Sequence, residues 1–374
     1  VSEPSALAGL RDPGLWERVQ QRIYSSTSDD VARALASERR TPEQLVALLS
    51  PAADAVRAEL EAAARQLTLQ RFGRTVVLYV PLYLSNSCTN SCSYCGFARQ
   101  RDIRRATLDD SELDVELQRL AGQHFRHLLL LTGEDRRAAS VDFIRAAVAR
   151  CHARFSSVSV EVYPMAAAEY AALVAAGCDG LTLYQETYHQ PTYAAVHPDG
   201  PKADFDARLA APLRAAAAGM RSVSLGALLG LADWRVEGVL LAMHGALLRQ
   251  QSWRTRLAFG FPRLRSDPGA GCTLRTLSED ELGQLICGLR LCFPDADLVL
   301  STRECAEFRD RMVGVGVTRM SAGSRTAPGG YALGSDAGEQ FAVTDTRTPA
   351  EIAGMLEAHG YEPVWKDFDQ GFLA

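Results

Sequence analysis

Leu82-Tyr-Leu-Ser-Asn-Ser-Cys-Thr-Asn-Ser-Cys-Ser-Tyr-Cys-Gly-Phe97 places three cysteines, Cys88, Cys92 and Cys95, in C-x3-C-x2-C spacing directly after an apolar run. Three thiolates on one short loop suit three corners of a cubic [4Fe–4S] cluster. Clusters that only carry electrons usually have a full set of protein ligands. A missing fourth ligand leaves one iron open to a small molecule. Zinc normally takes four ligands, often as two separated pairs, and only one C-x2-C is present, with His124 the nearest downstream histidine. Disulfides need an oxidising compartment, and Val1-Ser-Glu-Pro has neither a basic region nor an apolar core like a secretory signal. Nine cysteines produce some close pairs by chance, but a triplet at this spacing behind a strand-like run is not one of them.

The chain has 374 residues, 47% hydrophobic and 23% charged, which is enough for one large barrel-type domain plus an extension. A formal net charge of −5 argues against nucleic acid as a partner. No apolar stretch approaches the roughly 20 residues that cross a bilayer, so no membrane partner and a cytoplasmic location are expected. Cys151, Cys178, Cys272, Cys287, Cys292 and Cys305 are scattered and read mostly as small buried hydrophobes.

Residues 1–74 read as a helical extension. Thr41-Pro-Glu-Gln44 is a capping box with proline at the first helical position, and Ser50-Pro51 opens a helix that stops at Gly73. The segment is expected to cap one end of a barrel. From Thr75 short apolar runs alternate with amphipathic segments. Strands are expected at 76–84, 128–131, 158–163, 180–184, 222–229, 256–261, 297–300 and 317–320, with helices at 110–121, 141–154, 166–176, 204–218, 235–250, 278–291 and 306–313. Seven or eight such repeats point to the α/β class and a (β/α)8 TIM-type barrel over 75–325. Residues 326–374 follow as a C-terminal helix (349–359) and tail packing on the barrel.

A TIM-type barrel carries its chemistry just after its strands. Besides the cysteines, Glu134, Glu161, Tyr163, Gln185, Glu186, Arg263, Arg265, Arg303, Glu304 and Ser321 fall at such positions. Any one of them also suits an ordinary solvated loop; their recurrence around the barrel favours a site.

The cysteine spacing, with Tyr94 before the last cysteine, resembles the radical S-adenosyl-L-methionine (SAM) superfamily. There the open iron chelates SAM and the aromatic packs near adenine. A joint set of segments resembles the 2-iminoacetate synthases, the tyrosine lyases of thiamine thiazole biosynthesis. These are Pro81 to Phe97, His127-Leu-Leu-Leu-Leu-Thr-Gly-Glu134, Tyr184-Gln-Glu-Thr-Tyr-His189, Lys202-Ala-Asp-Phe-Asp206, Phe261-Pro-Arg-Leu-Arg265, Leu300-Ser-Thr-Arg-Glu304 and Pro363-Val-Trp-Lys-Asp-Phe-Asp369. The resemblance implies a [4Fe–4S] cluster on Cys88, Cys92 and Cys95. It also implies reductive cleavage of SAM to methionine and a 5′-deoxyadenosyl radical, and cleavage of the Cα–Cβ bond of L-tyrosine to 2-iminoacetate and p-cresol.

The same resemblance implies Arg303, with Ser321, on the tyrosine carboxylate, as in the related tryptophan lyase. It implies Glu134 on the SAM amino group, Glu161 on its ribose and Arg208 on its carboxylate. Tyr83 suits either a substrate-facing or a packing role. A surface ion pair with Glu304 or Asp310 is the plain alternative for Arg303, and a solvated place near Asp204 for Arg208. Tyr184, Gln185 and His189 acquire no role from spacing, while Arg263 and Arg265 suit a pocket lining or a phosphate-like ligand. A flavodoxin- or ferredoxin-type reductant and a thiazole synthase partner are implied as well, with the N-terminal helices or the tail around Asp367 and Asp369 as docking surfaces. The tyrosine lyase of hydrogenase maturation carries a second cluster on C-terminal cysteines, and none follows Cys305 here. Tryptophan lyase, a non-catalytic iron–sulfur carrier or scaffold, and a zinc protein are the remaining alternatives.

Overall fold

A computed structural model describes residues 6–264 and 277–369. Within them eight parallel strands close into a barrel: β1 (Thr75–Ser85), β2 (His127–Thr132), β3 (Ser157–Glu161), β4 (Gly180–Thr182), β5 (Ser222–Gly226), β6 (Arg256–Gly260), β7 (Asp297–Leu300) and β8 (Arg319–Ser321). Each pairs with the next, and β8 returns to β1 through Val77 opposite Arg319 and Tyr79 opposite Ser321. A short ninth strand, β9 (Glu362–Val364), lies parallel to the start of β1, where the sequence suggested only a tail. The (β/α)8 expectation therefore holds with eight strands.

Side-chain alternation explains why the barrel has an interior worth lining. Along β1, Val76, Leu78, Val80, Leu82 and Leu84 point outward into the main hydrophobic core under the helices. Tyr79, Pro81 and Tyr83 point into the cavity. β2, β3, β7 and β8 repeat the pattern: Leu129, Leu131, Glu161, Val299 and Ser321 face inward, and Leu128, Leu130, Val160, Leu298 and Met320 face outward. The strands thus carry their apolar half outward and leave a polar or mixed half inside.

The lower half of the barrel is filled by paired charges rather than by branched aliphatics. Asp179 accepts from Arg221 at 3.0 Å and from Ser157 at 3.1 Å. Asp297 meets Arg256 at 2.9 Å and Arg319 at 3.5 Å. The C-terminal tail closes this end. The Asp367 backbone N–H donates to His127 Nε2 at 3.2 Å, its carboxylate reaches Arg256 at 3.5 Å, and Phe368 lies against the Arg221 guanidinium at 3.6 Å. Asp367 is thus spent inside the lower mouth, and Asp369 pairs with Lys366 at 2.6 Å.

The N-terminal helices form as expected: the Thr41 capping box and Pro42 open Pro42–Leu48, and Gly73 ends Arg57–Phe72. Their position differs from a cap. They run along the barrel flank, where Arg235 donates to Leu49 O at 2.6 Å and Gln284 donates to Leu48 O at 3.0 Å. Helices Trp234–Gln251 and Glu279–Cys292 are buried on most of their surface because this extension covers them. Among the described residues no helix is long and apolar enough to cross a membrane. Cys151, Cys178, Cys287 and Cys292 are buried and Cys305 is half-buried, whereas Cys272 and Arg265 lie outside the described residues.

Candidate active site

The cysteine loop is fastened at many points. Arg105 donates to Asn86 O, Phe97 O and Ala98 O at 2.7–2.8 Å, drawing the two ends of the loop together. Asn86 holds Arg104 O at 2.9 Å and accepts from Ala106 N at 2.7 Å. Asn90 links three segments: its amide donates to Glu134 Oε2 at 2.7 Å and to Cys88 Sγ at 3.7 Å, and its oxygen accepts from Lys202 N at 2.8 Å. Thr89 N donates to Glu134 O at 2.9 Å. A Cβ on Gly133 would overlap Ser87 O, so only glycine lets the turn after β2 approach this closely. Cys88, Cys92 and Cys95 face one cavity shared with Glu134, Glu161 and Arg208. Burial pushes the Cys92 thiol up to about 12, and Phe97 N donates to Cys95 Sγ at 3.4 Å.

Behind the loop, Glu186 gathers two cations, Lys202 at 2.6 Å and Arg208 at 3.2 Å. Burial pushes its carboxyl up, but these cations outweigh it and hold the group below its ordinary value. Glu186 adopts φ 71°, a conformation disfavoured for a side-chain-bearing residue, and the next two residues pin it. Thr187 bonds to the buried Glu237, Tyr188 N donates to the same carboxylate at 2.9 Å, and Tyr188 OH meets His244 at 2.9 Å. Tyr94 OH donates to His197 Nε2 at 2.8 Å, since His197 Nδ1 already serves Tyr193 O. Lys202 sits 5.6 Å over the Tyr94 ring.

Across the barrel mouth lies a second wall. Arg303 follows β7, and its guanidinium stacks on Phe341 at 3.6 Å. Among the described residues no carboxylate forms a salt bridge with it. Glu304 is taken by Arg263 and Asp310 by Arg347 at 2.8 Å. Burial lowers the Arg303 pKa, although the charge persists. Ser321 Oγ accepts from Thr302 N at 3.0 Å, and Tyr83 OH donates to Gln340 Oε1 at 2.6 Å. Glu161 stands between the two walls, with no hydrogen-bond donor on its carboxylate among the described residues. Burial, then the Glu186 charge, pushes it up to about 7.

One cavity joins the walls: Tyr94, Cys95, Glu161, Lys202, Arg303 and Ser321 all line it.

Residues 82–241 match the family model of the radical SAM superfamily, and residues 260–362 match the Biotin and Thiamin Synthesis associated domain. The chain is 44% identical to a 2-iminoacetate synthase of Escherichia coli (strain K12), over 95% of this chain and 94% of that protein. The Salmonella typhimurium 2-iminoacetate synthase is 42% identical over the same shares. The chain belongs to the 2-iminoacetate synthase family of radical SAM enzymes. It is therefore a radical SAM lyase. Among solved structures, the [FeFe]-hydrogenase maturase HydG from Carboxydothermus hydrogenoformans superposes with a TM-score of 0.85 at 27% identity, covering 98% of this chain and 85% of that one. Methylornithine synthase (PylB) shares the fold at a TM-score of 0.71 and 23% identity, covering 90% of this chain and 97% of that one.

Membership of the superfamily implies a [4Fe–4S] cluster and SAM. The residues present fit both groups: three thiols on one loop share a cavity, amide N–H groups reach two of the sulfurs, and Glu134, Glu161 and Arg208 border the same space. Tyr83, Tyr94, Arg303 and Ser321 line the adjoining cavity. Arg208 is buried, not solvated; its Nε donates to Tyr184 O at 2.6 Å and its other end pairs with Glu186. Arg263 corrects the sequence reading: it is buried against Glu304 and Leu277 O (2.8 Å), so it holds the loops after β6 and β7 together and has no free end for a ligand. Sequence reasoning missed Asn90, Arg105, Gln340 and Phe341 as site residues. Lys202 lay within a quoted family-like segment but received no role.

Proposed function

We propose that this enzyme cleaves the Cα–Cβ bond of L-tyrosine to 2-iminoacetate and p-cresol, consuming SAM. The observation that carries the reading is one cavity that joins the cysteine loop to Arg303, a half-buried guanidinium with no carboxylate partner among the described residues. A guanidinium fork matches a carboxylate in a bidentate pair, and a half-buried cation without an anion favours one. Ser321, fixed by Thr302 N and by Arg309 on its carbonyl, adds a hydroxyl donor to the same carboxylate.

Cys88, Cys92 and Cys95 would hold the cluster, and Tyr94, Glu134, Glu161 and Arg208 would hold SAM. With both bound, these groups supply a 5′-deoxyadenosyl radical as the hydrogen-abstracting agent. Asn90 orients Glu134 toward the SAM amino group, and His197 fixes Tyr94 beside the adenine. Tyr83, anchored on Gln340, faces the substrate. Leu129, Leu131, Phe261 and Val299 line the rest of the cavity and exclude water, which would hydrolyse an imine and quench a radical. A flavodoxin- or ferredoxin-type protein would supply electrons, and a thiazole synthase would take the unstable imine.

SAM cleavage tests this against an electron-carrier reading. The reconstituted, reduced protein forms 5′-deoxyadenosine with SAM and tyrosine; a carrier forms none.

Glu161 adds a pH dependence. Two ribose hydroxyls donate best to a carboxylate, so SAM binding favours the deprotonated form. With the free carboxyl near 7, SAM affinity rises about tenfold from pH 6 to pH 8. Equilibrium binding of labelled SAM to the cluster-loaded protein checks this, and Glu161→Gln removes that part of the rise. An unaltered pH profile in the variant would remove Glu161 from the ribose site.

A further inference from the structure

The segment 338–345 folds back over the barrel mouth and touches both walls of the site. Gln340 O accepts from Gly96 N at 3.1 Å, beside the third cysteine, while Gln340 Oε1 accepts from Tyr83. A Cβ on Gly96 would overlap Glu339 O and Gln340 O, so the contact requires glycine. Phe341, next in the chain, lies on the Arg303 guanidinium. Thr344 N and Asp345 N both donate to Thr302 O at 3.0 Å, and Arg309 and Arg347 clamp the Asp345 carboxylate. The strap is thus tied at one end to the cysteine loop and at the other to the loop that carries Arg303.

We infer that Phe341 is a positioning residue for the amino-acid substrate: its ring fixes the plane of the Arg303 guanidinium so that the fork faces a substrate carboxylate. The inference rests on the reading of Arg303 given above. Glu161 and Glu186 are the carboxylates whose fields act on Arg303, Glu161 more strongly, and Tyr83 and Tyr184 act on it as well. A guanidinium free to swing would turn toward Glu161. The aromatic face holds one side of the cation, offsets part of its burial, and leaves only the in-plane N–H groups for a ligand.

The test compares Phe341→Leu, Phe341→Tyr and Arg303→Ala in the cluster-loaded enzyme, with tyramine, which lacks the carboxylate, as competing ligand. Phe341→Leu raises KM for tyrosine about tenfold. It leaves the tyramine inhibition constant and the iron content unchanged, and Phe341→Tyr restores the KM. An unchanged KM in Phe341→Leu, beside a raised KM in Arg303→Ala, overturns the inference and keeps the reading of Arg303. An unchanged KM in Arg303→Ala overturns that reading itself. A parallel rise in the tyrosine and tyramine constants, or lost iron, shows a general packing role and also overturns the inference.

Discussion

Cys88→Ala purifies folded but without the visible absorbance of an iron–sulfur protein, and forms neither 5′-deoxyadenosine nor p-cresol. The loss is complete because the loop offers three cysteines, and none is left over to replace the thiolate that Cys88 would give the cluster. Folding survives because the loop does not depend on that sulfur: its one polar contact among the described residues is a 3.7 Å approach from Asn90, while Arg105, Asn86 and the Thr89 backbone carry the loop. Cys305→Ala is the control, since Cys305 lies beside Glu279 and away from the loop, and it retains cluster and products. Iron content, circular dichroism and product chromatography check both variants. Activity in Cys88→Ala would end the cluster assignment.

Arg303→Ala weakens tyrosine binding by about two orders of magnitude. A charge-assisted bidentate pair at a half-buried guanidinium is worth roughly 3 kcal/mol when one partner is truncated. Arg303→Lys recovers part of that, because an ammonium restores the charge without the planar fork. Neither variant loses its cluster: Arg303 touches Phe341 and its own loop, not the cysteine segment. KM for tyrosine and iron per chain are the measurements, and loss of cluster absorbance in Arg303→Ala would make the residue structural.

These expectations draw on what was legible in the chain. The alternation of β1 is written in Thr75–Ser85, so the strand, its outward leucines and its inward tyrosines could be read directly. Glu134, Glu161, Arg303 and Ser321 were reachable because inward residues and strand ends define the mouth of a barrel. What stayed hidden depends on contacts far apart in sequence. Gln340 meets Tyr83 across 257 positions, and Asn90 meets Lys202 across 112. No local pattern marks Phe341 as the face beneath Arg303.

The apolar run 222–229 looked like one strand, yet β5 ends at Gly226. The remainder crosses the mouth, paired only by isolated bridges such as Leu229 with Arg263. β9 escaped notice because three residues carry little periodicity. Arg263 read as a pocket-lining or phosphate-binding residue because its partner Glu304 belongs to the next strand's loop.

HydG-like architecture and family membership leave the choice of aromatic amino acid to a direct test. The most direct measurement is product formation by the anaerobically reconstituted enzyme, given reductant and SAM with tyrosine or with tryptophan. The expected products are p-cresol from tyrosine, with glyoxylate as the hydrolysis product of 2-iminoacetate, and no indole product from tryptophan. A 3-methylindole-type product from tryptophan, with tyrosine inert, would contradict the tyrosine reading.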